Sequence, residues 1–146
     1  MNNCKGKEEE SVDKFIKNKI NIIENSIKEL QDKKTNNDSM EDFKSFQHIS
    51  INIERIITSI LELTSNFVNS KNLKMDPKLE GIFKDLYKNK IIDENMLSVM
   101  EETLSFRGIS LDNSREVDLD SIKKFIENKL NYSLEFAYII ANNITA

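Results

Sequence analysis

A chain of 146 residues with no Trp, one cysteine, one proline and three glycines can close a single hydrophobic core without disulfides or metals. It is also too poor in turn-formers for a sandwich, a barrel or a Gly-rich nucleotide fold. The formal charge of −4 comes from 21 basic and 25 acidic side chains in mixed order, which forces no broad basic surface and argues against tight nonspecific nucleic-acid binding, though not against a local groove formed by two chains.

Cys4 alone rules out an internal disulfide and any multi-cysteine metal site. No apolar run reaches the length of a membrane span or forms a signal-like stretch near the start, so the expectation is a cytoplasmic protein that does not enter a membrane.

Residues 1–11, polar and without periodicity, read as a flexible tail. The first predicted helix covers about residues 12–34, where Phe15, Ile16, Ile20, Ile23, Ile27 and Leu30 recur at three- and four-residue spacing. It ends in "DKKTNNDS", lysines followed by a turn-forming cluster. The second, about 39–70, opens at Ser39 with Asp42 three residues on, a pattern close to a capping box. Its apolar positions, among them Ile49, Ile53, Ile56, Ile57, Ile60, Leu63 and Phe67, are widened by Ile51 and Leu61 into more than one stripe. That helix is therefore central to the fold, or it also faces a second chain, since it carries more apolar surface than one intrachain face hides.

A third helix, about 78–89, carries Leu79, Ile82, Phe83, Leu86 and Tyr87. Asp93 caps a fourth, in which Met96, Leu97, Met100, Thr103, Leu104 and Arg107 share a face, so Arg107 is expected on a buried or half-buried side. A fifth runs from near Asp118 to about 143 with Leu119, Ile122, Ile126, Leu130, Ser133, Phe136, Ala137 and Ile140 in line. No repeat, linker or second domain interrupts this order. The fold class is all-α, an up-and-down bundle of about five helices in one domain, residues 12–146.

Candidate chemistry is sparse. The single histidine, His48, has no second ligand at metal spacing and reads as a structural or surface residue. Glu54 and Arg55, on the broad face of the second helix, are candidates for a polar network. The acids Asp112, Glu116, Asp118 and Asp120 lack the glycine and spaced oxygens of a calcium loop, and helix capping explains Asp118 and Asp120. No phosphate loop, nucleophile elbow or zinc motif appears. No metal or other cofactor is expected.

The order "FQHISINIERIITSILEL", "MDPKLEGIFKDLYKNKIID", "MLSVMEETLSFRGISL" and "VDLDSIKKFIENKLNYSLEFA" resembles the HepT-like branch of the HEPN superfamily over about residues 12–140. The resemblance implies an all-α homodimer, a metal-independent ribonuclease toxin and a minimal nucleotidyltransferase antitoxin as partner. The family motif is an Arg, usually followed by Asn, with a His five positions after the Arg and a Tyr two beyond that. Arg107 matches the Arg. Gly108 replaces the Asn, Asp112 stands at the His position and Ser114 at the Tyr position.

These departures bear on the chemistry. Cleavage through the RNA 2′-hydroxyl needs a group that moves a proton near neutral pH, as His does with an ordinary pKa of about 6.5; Asp, at about 3.9, is a far weaker base. Arg107 retains the capacity to bind phosphate or stabilise developing charge. Loss of the Tyr removes the hydroxyl to which the antitoxin of the resembled pairs would transfer AMP.

The site residues expected from the resemblance are therefore Arg107 and Asp112 for catalysis and Arg107 and Ser114 for binding. An Arg107–Asp112 ion pair is their structural alternative. The functional expectation is a toxin–antitoxin component, ancestrally an RNA endonuclease, with weak or lost catalysis and a dimer formed through the helices flanking the 105–118 stretch. The alternative is a non-catalytic homodimeric interaction or nucleotide-binding module.

Overall fold

The computed structural model describes residues 3–35, 43–74, 78–107 and 119–145. Among them are six helices and no strand: α1 (Asn3–Thr35), α2 (Phe43–Ser70), α3 (Leu79–Lys88), α4 (Glu94–Ser105), α5 (Leu119–Asn128) and α6 (Tyr132–Thr145). The all-α expectation holds. The helix count is six because the predicted fifth helix is two.

The first helix begins at Asn3, inside the stretch read as a tail. Lys and Glu are good helix formers without any apolar partner, so the lack of periodicity in "KGKEEES" hid the helix. The capping pattern expected at Ser39 lies outside the described residues. Asp93 caps α4 as expected, its side chain accepting from the Met96 N–H at 2.8 Å.

Two helices end on non-glycine residues in the left-handed region, Asn72 (φ 52°) and Lys90 (φ 62°). After α3, Ile91 N–H donates to Leu86 O at 2.9 Å and Lys90 N–H to Tyr87 O at 3.0 Å, the paired bonds of a Schellman motif. The same arrangement follows α2, with Leu73 N–H donating to Val68 O at 3.1 Å. These closures turn the chain sharply and release it into the next helix.

The break between α5 and α6 lies at residues 129–131. Lys129 N–H still reaches Phe125 O, but Tyr132, Ser133 and Leu134 donate three residues back, to Lys129, Leu130 and Asn131. One tightened turn thus separates the helices. Leu130 and Ser133 stay buried on either side of it, so the apolar spacing runs through the break without revealing it.

In the core, α2 is the central helix, packed between α1 and α6. Ile49, Ile53, Ile56, Ile57, Ile60, Leu63 and Phe67 of α2 are all buried, which realises two buried sides within one chain. The apolar surplus left outside is narrow: Ile51 is 51% exposed, while Leu61 and Val68 are partly covered. The α3–α4 hairpin lies over α6, where Phe83 meets Phe136 edge-on at 5.6 Å.

Candidate functional site

Arg107 is placed by the way α4 ends. Phe106 N–H donates to Thr103 O and Arg107 N–H to Leu104 O, at 3.1 and 3.0 Å, so the last turn tightens and the chain leaves the helix. Phe106 then leans on the buried Phe125 of α5, ring centroids 4.8 Å apart. One turn earlier, Glu102 accepts from Lys129 Nζ at 2.7 Å. These two contacts fix the end of α4 against α5.

Arg107 is left outside this packing, its side chain 41% exposed, which corrects the expectation of a buried or half-buried face. Phe106 takes the inward position because the α4 periodicity stops at Ser105. A guanidinium at a helix C-terminus also meets the negative end of the dipole favourably.

The partner of Arg107 is Glu54, with Nε 3.7 Å from Oε1 and the Glu54 side chain 47% exposed. The place of Glu54 on α2 makes it a candidate for a polar network, but with 53 positions between them the sequence gives no means of naming Arg107 as its cation. Asp112 and Ser114, the other expected site residues, lie outside the described residues, as do Gly108, Glu116 and Asp118. An Arg107–Asp112 contact is therefore not part of the described site, whereas the acid of α2 is.

Around this pair the outer face of α2 forms the floor of two adjoining grooves. The first, about 440 Å³, has Lys19 and Ile22 of α1 on one side and Ile51, Glu54, Arg55 and Thr58 on its floor. The second, about 460 Å³, continues along α2 past Thr58 and Leu61 to Ser65, with Phe15 and Arg107 at its edges. An ion pair between Lys19 and Glu62 ties α1 to this floor, and the Lys19 ammonium also sits 5.4 Å from the centre of the Phe15 ring. Arg107 and Glu54 thus bridge neighbouring open spaces and are not sealed in a pocket.

His48 is elsewhere on the α1–α2 seam. Its Nε2 lies 3.5 Å from Glu29 O, 3.6 Å from Glu29 Oε2 and 3.5 Å from Asn52 Nδ2. It serves as a tie between helices, as a structural histidine would. No cluster of His, Cys, Asp or Glu suited to a metal ion occurs among the described residues. No described helix is long and apolar enough to cross a membrane.

Neither a protein-family model nor a curated protein sequence matches the chain. Solved structures do. A toxin–antitoxin crystallised with AMP-PNP superposes with a TM-score of 0.78 at 20% identity, covering 86% of this chain and 97% of that one. The chain has the fold of the HEPN toxins. A tri-AMPylated Shewanella oneidensis HEPN toxin in complex with its MNT antitoxin gives a TM-score of 0.78 at 20% identity, over 86% of this chain and 96% of that one. A variant of the MntA–HpeT toxin–antitoxin gives 0.75, also at 20% identity, over 87% and 97%. The HEPN fold therefore accounts for nearly the full length of each toxin chain, and the resemblance drawn from the order of sequence segments holds at the level of architecture.

Proposed function

We propose that this chain is the toxin-like member of a toxin–antitoxin pair, a homodimer that contacts RNA phosphate through Arg107 and cleaves RNA weakly or not at all. What carries the reading is Arg107 itself: the position the resemblance assigns to the motif arginine is held at the end of α4, open to solvent and beside a groove. The likeness to toxins described with their antitoxins supports a minimal nucleotidyltransferase as partner. With Ser114 in place of the motif tyrosine, AMP transfer to a phenol at this position is not available as a control.

In this mechanism the guanidinium donates charge-assisted hydrogen bonds to a phosphate oxygen and steadies the charge that grows as the 2′-oxygen attacks phosphorus. An aspartate at the histidine position, with an ordinary pKa of about 3.9, is a weak base and a poor acid for the leaving oxygen. The second reading, a non-catalytic interaction or nucleotide-binding module, is favoured by Glu54, which already engages Arg107 and competes with any anion there.

The test is cleavage and binding of a short RNA by the purified protein in EDTA. Wild type is expected to cleave little. Arg107→Ala should weaken binding about tenfold, as for loss of one contact of about 1.5 kcal/mol. Asp112→His combined with Ser114→Tyr should raise cleavage by about 10²- to 10⁴-fold if the backbone still presents these positions to Arg107. Strong wild-type cleavage abolished by Asp112→Asn would overturn the assignment of weak catalysis, and RNA binding indifferent to Arg107→Ala would overturn the site.

A further inference from the structure

We infer that the groove edged by Phe15 and Arg107 holds one unstacked nucleotide of single-stranded RNA, with its phosphate on Arg107 and an adenine base against the amides of Asn66 and Asn69. The inference rests on the reading of Arg107 as a phosphate contact and adds a base to it. It starts from two asparagines that the fold does not use. Of the three asparagines on α2, Asn52 turns its amide back to His48 O at 3.0 Å. Thr64 and Ser70, close by in the chain, likewise donate to Ile60 O and Phe67 O, each at 2.8 Å. Asn66 and Asn69 have no side-chain hydrogen bond among the described residues, and asparagine adds little to helix stability. Their spacing of three keeps them on one face of α2, a turn beyond Glu62 and Ser65, and both line the 460 Å³ groove.

The chemistry of this groove suits a nucleotide better than a protein segment. Ile51, Tyr87 and Tyr138, the large apolar side chains exposed among the described residues, all lie outside it, so a protein partner meets no exposed apolar anchor there. The charged residues lining it are Arg107 and Glu62, and Glu62 is paired with Lys19, which leaves the guanidinium to meet an anion. Glu54 stands 3.7 Å from the Arg107 Nε, longer than a hydrogen bond. A phosphate oxygen at hydrogen-bond distance would displace that contact. Phe15, only partly buried, gives an unstacked base an aromatic surface.

The amides set which base is held. A carboxamide presents a donor beside an acceptor, and adenine presents the complementary pair on its Watson–Crick edge, through N6 and N1, and again on its Hoogsteen edge, through N6 and N7. The Hoogsteen edge of guanine carries two acceptors, N7 and O6, which call for an arginine. The arginine lining this groove is engaged by phosphate. Cytosine and uracil offer a smaller face for stacking.

The experiment measures binding of the full chain, in EDTA, to labelled uridine hexamers that are plain or carry one central adenosine, guanosine or cytidine. The adenosine hexamer is expected to bind about tenfold tighter than the other three, the discrimination of one good amide–base pair. Asn66→Ala combined with Asn69→Ala should erase that preference and leave binding of the plain hexamer unchanged. Alanine favours helix over asparagine, so this variant keeps α2 and its urea midpoint should not fall.

Equal binding of the four hexamers by wild type, a preference that survives in the double alanine variant, or displacement by free adenosine monophosphate as effective as by the adenosine hexamer would each overturn the inference, the last because the ligand would then be a free nucleotide. Arg107→Ala should weaken all four hexamers alike. If it does so while no base is preferred, only the base site falls; hexamers indifferent to Arg107→Ala, or no binding of any hexamer, remove the phosphate site as well.

Discussion

Tyr138 shows how a single surface contact makes this fold sensitive to pH. Its hydroxyl donates to Glu24 Oε1 at 3.1 Å, joining α6 to α1. That hydrogen bond, with desolvation and the nearby carboxylate charge as smaller causes, raises the phenol above its ordinary 10.0. A phenol raised on folding binds its proton more tightly in the folded state, so its contribution is complete below about pH 10 and is lost as pH climbs through the folded value. Urea midpoints of wild type and Tyr138→Phe are therefore expected to differ at about pH 8 and to draw together as pH rises above about 10. A constant gap across that range would show that the ring, not the hydroxyl, matters.

Such contacts were invisible in the sequence. Tyr138 and Glu24 are 114 positions apart, and Arg107 and Glu54 are joined in the same way, by packing of helices distant in the chain. What could be read was the type of residue and the face it occupied. Glu54 was found by lying on a broad apolar helix, and Arg107 by its place in the motif order.

The helices themselves were legible wherever an apolar stripe met a cap. Asp93 and the Met96, Met100, Thr103 row placed α4 within a residue or two, and the α2 isoleucines other than Ile51 are buried as their spacing implied. Periodicity failed at two places for physical reasons. It is silent on helical segments whose sequence carries no apolar stripe, as at the start of α1, and it survives a single tightened turn, as between α5 and α6.

The second failure leaves a testable mark in Ser133. Its Oγ is fully buried at the start of α6 with no hydrogen-bond partner among the described residues. A buried hydroxyl without a partner costs about 1–3 kcal/mol of desolvation. Ser133→Ala keeps the backbone bond to Leu130 O and removes that group, so chemical unfolding should show stability unchanged or raised by about 1 kcal/mol. A marked loss would mean that the hydroxyl caps the helix after all.

At the scale of the molecule, α2 has an inner side that holds the fold together and an outer side free for association. Leu63 is fully buried at the centre of the bundle, whereas Ile51 is half exposed on the groove floor. Both are branched aliphatic residues on one helix, so Leu63→Ala and Ile51→Ala compare the two sides with similar chemistry. Leu63→Ala should cost about 2–5 kcal/mol, the transfer and cavity terms together, and should do so at any protein concentration. Ile51→Ala should stay within about 0.5 kcal/mol when unfolding is followed at concentrations low enough to keep the chain monomeric.

Under the proposed homodimer the Ile51 variant should fall behind wild type at high concentration, because association through this side of α2 would stabilise the folded state by mass action. Thermal unfolding over a hundredfold range of concentration separates the outcomes: a concentration-independent loss at Ile51 would make it an ordinary core residue, and a concentration-dependent one ties it to self-association.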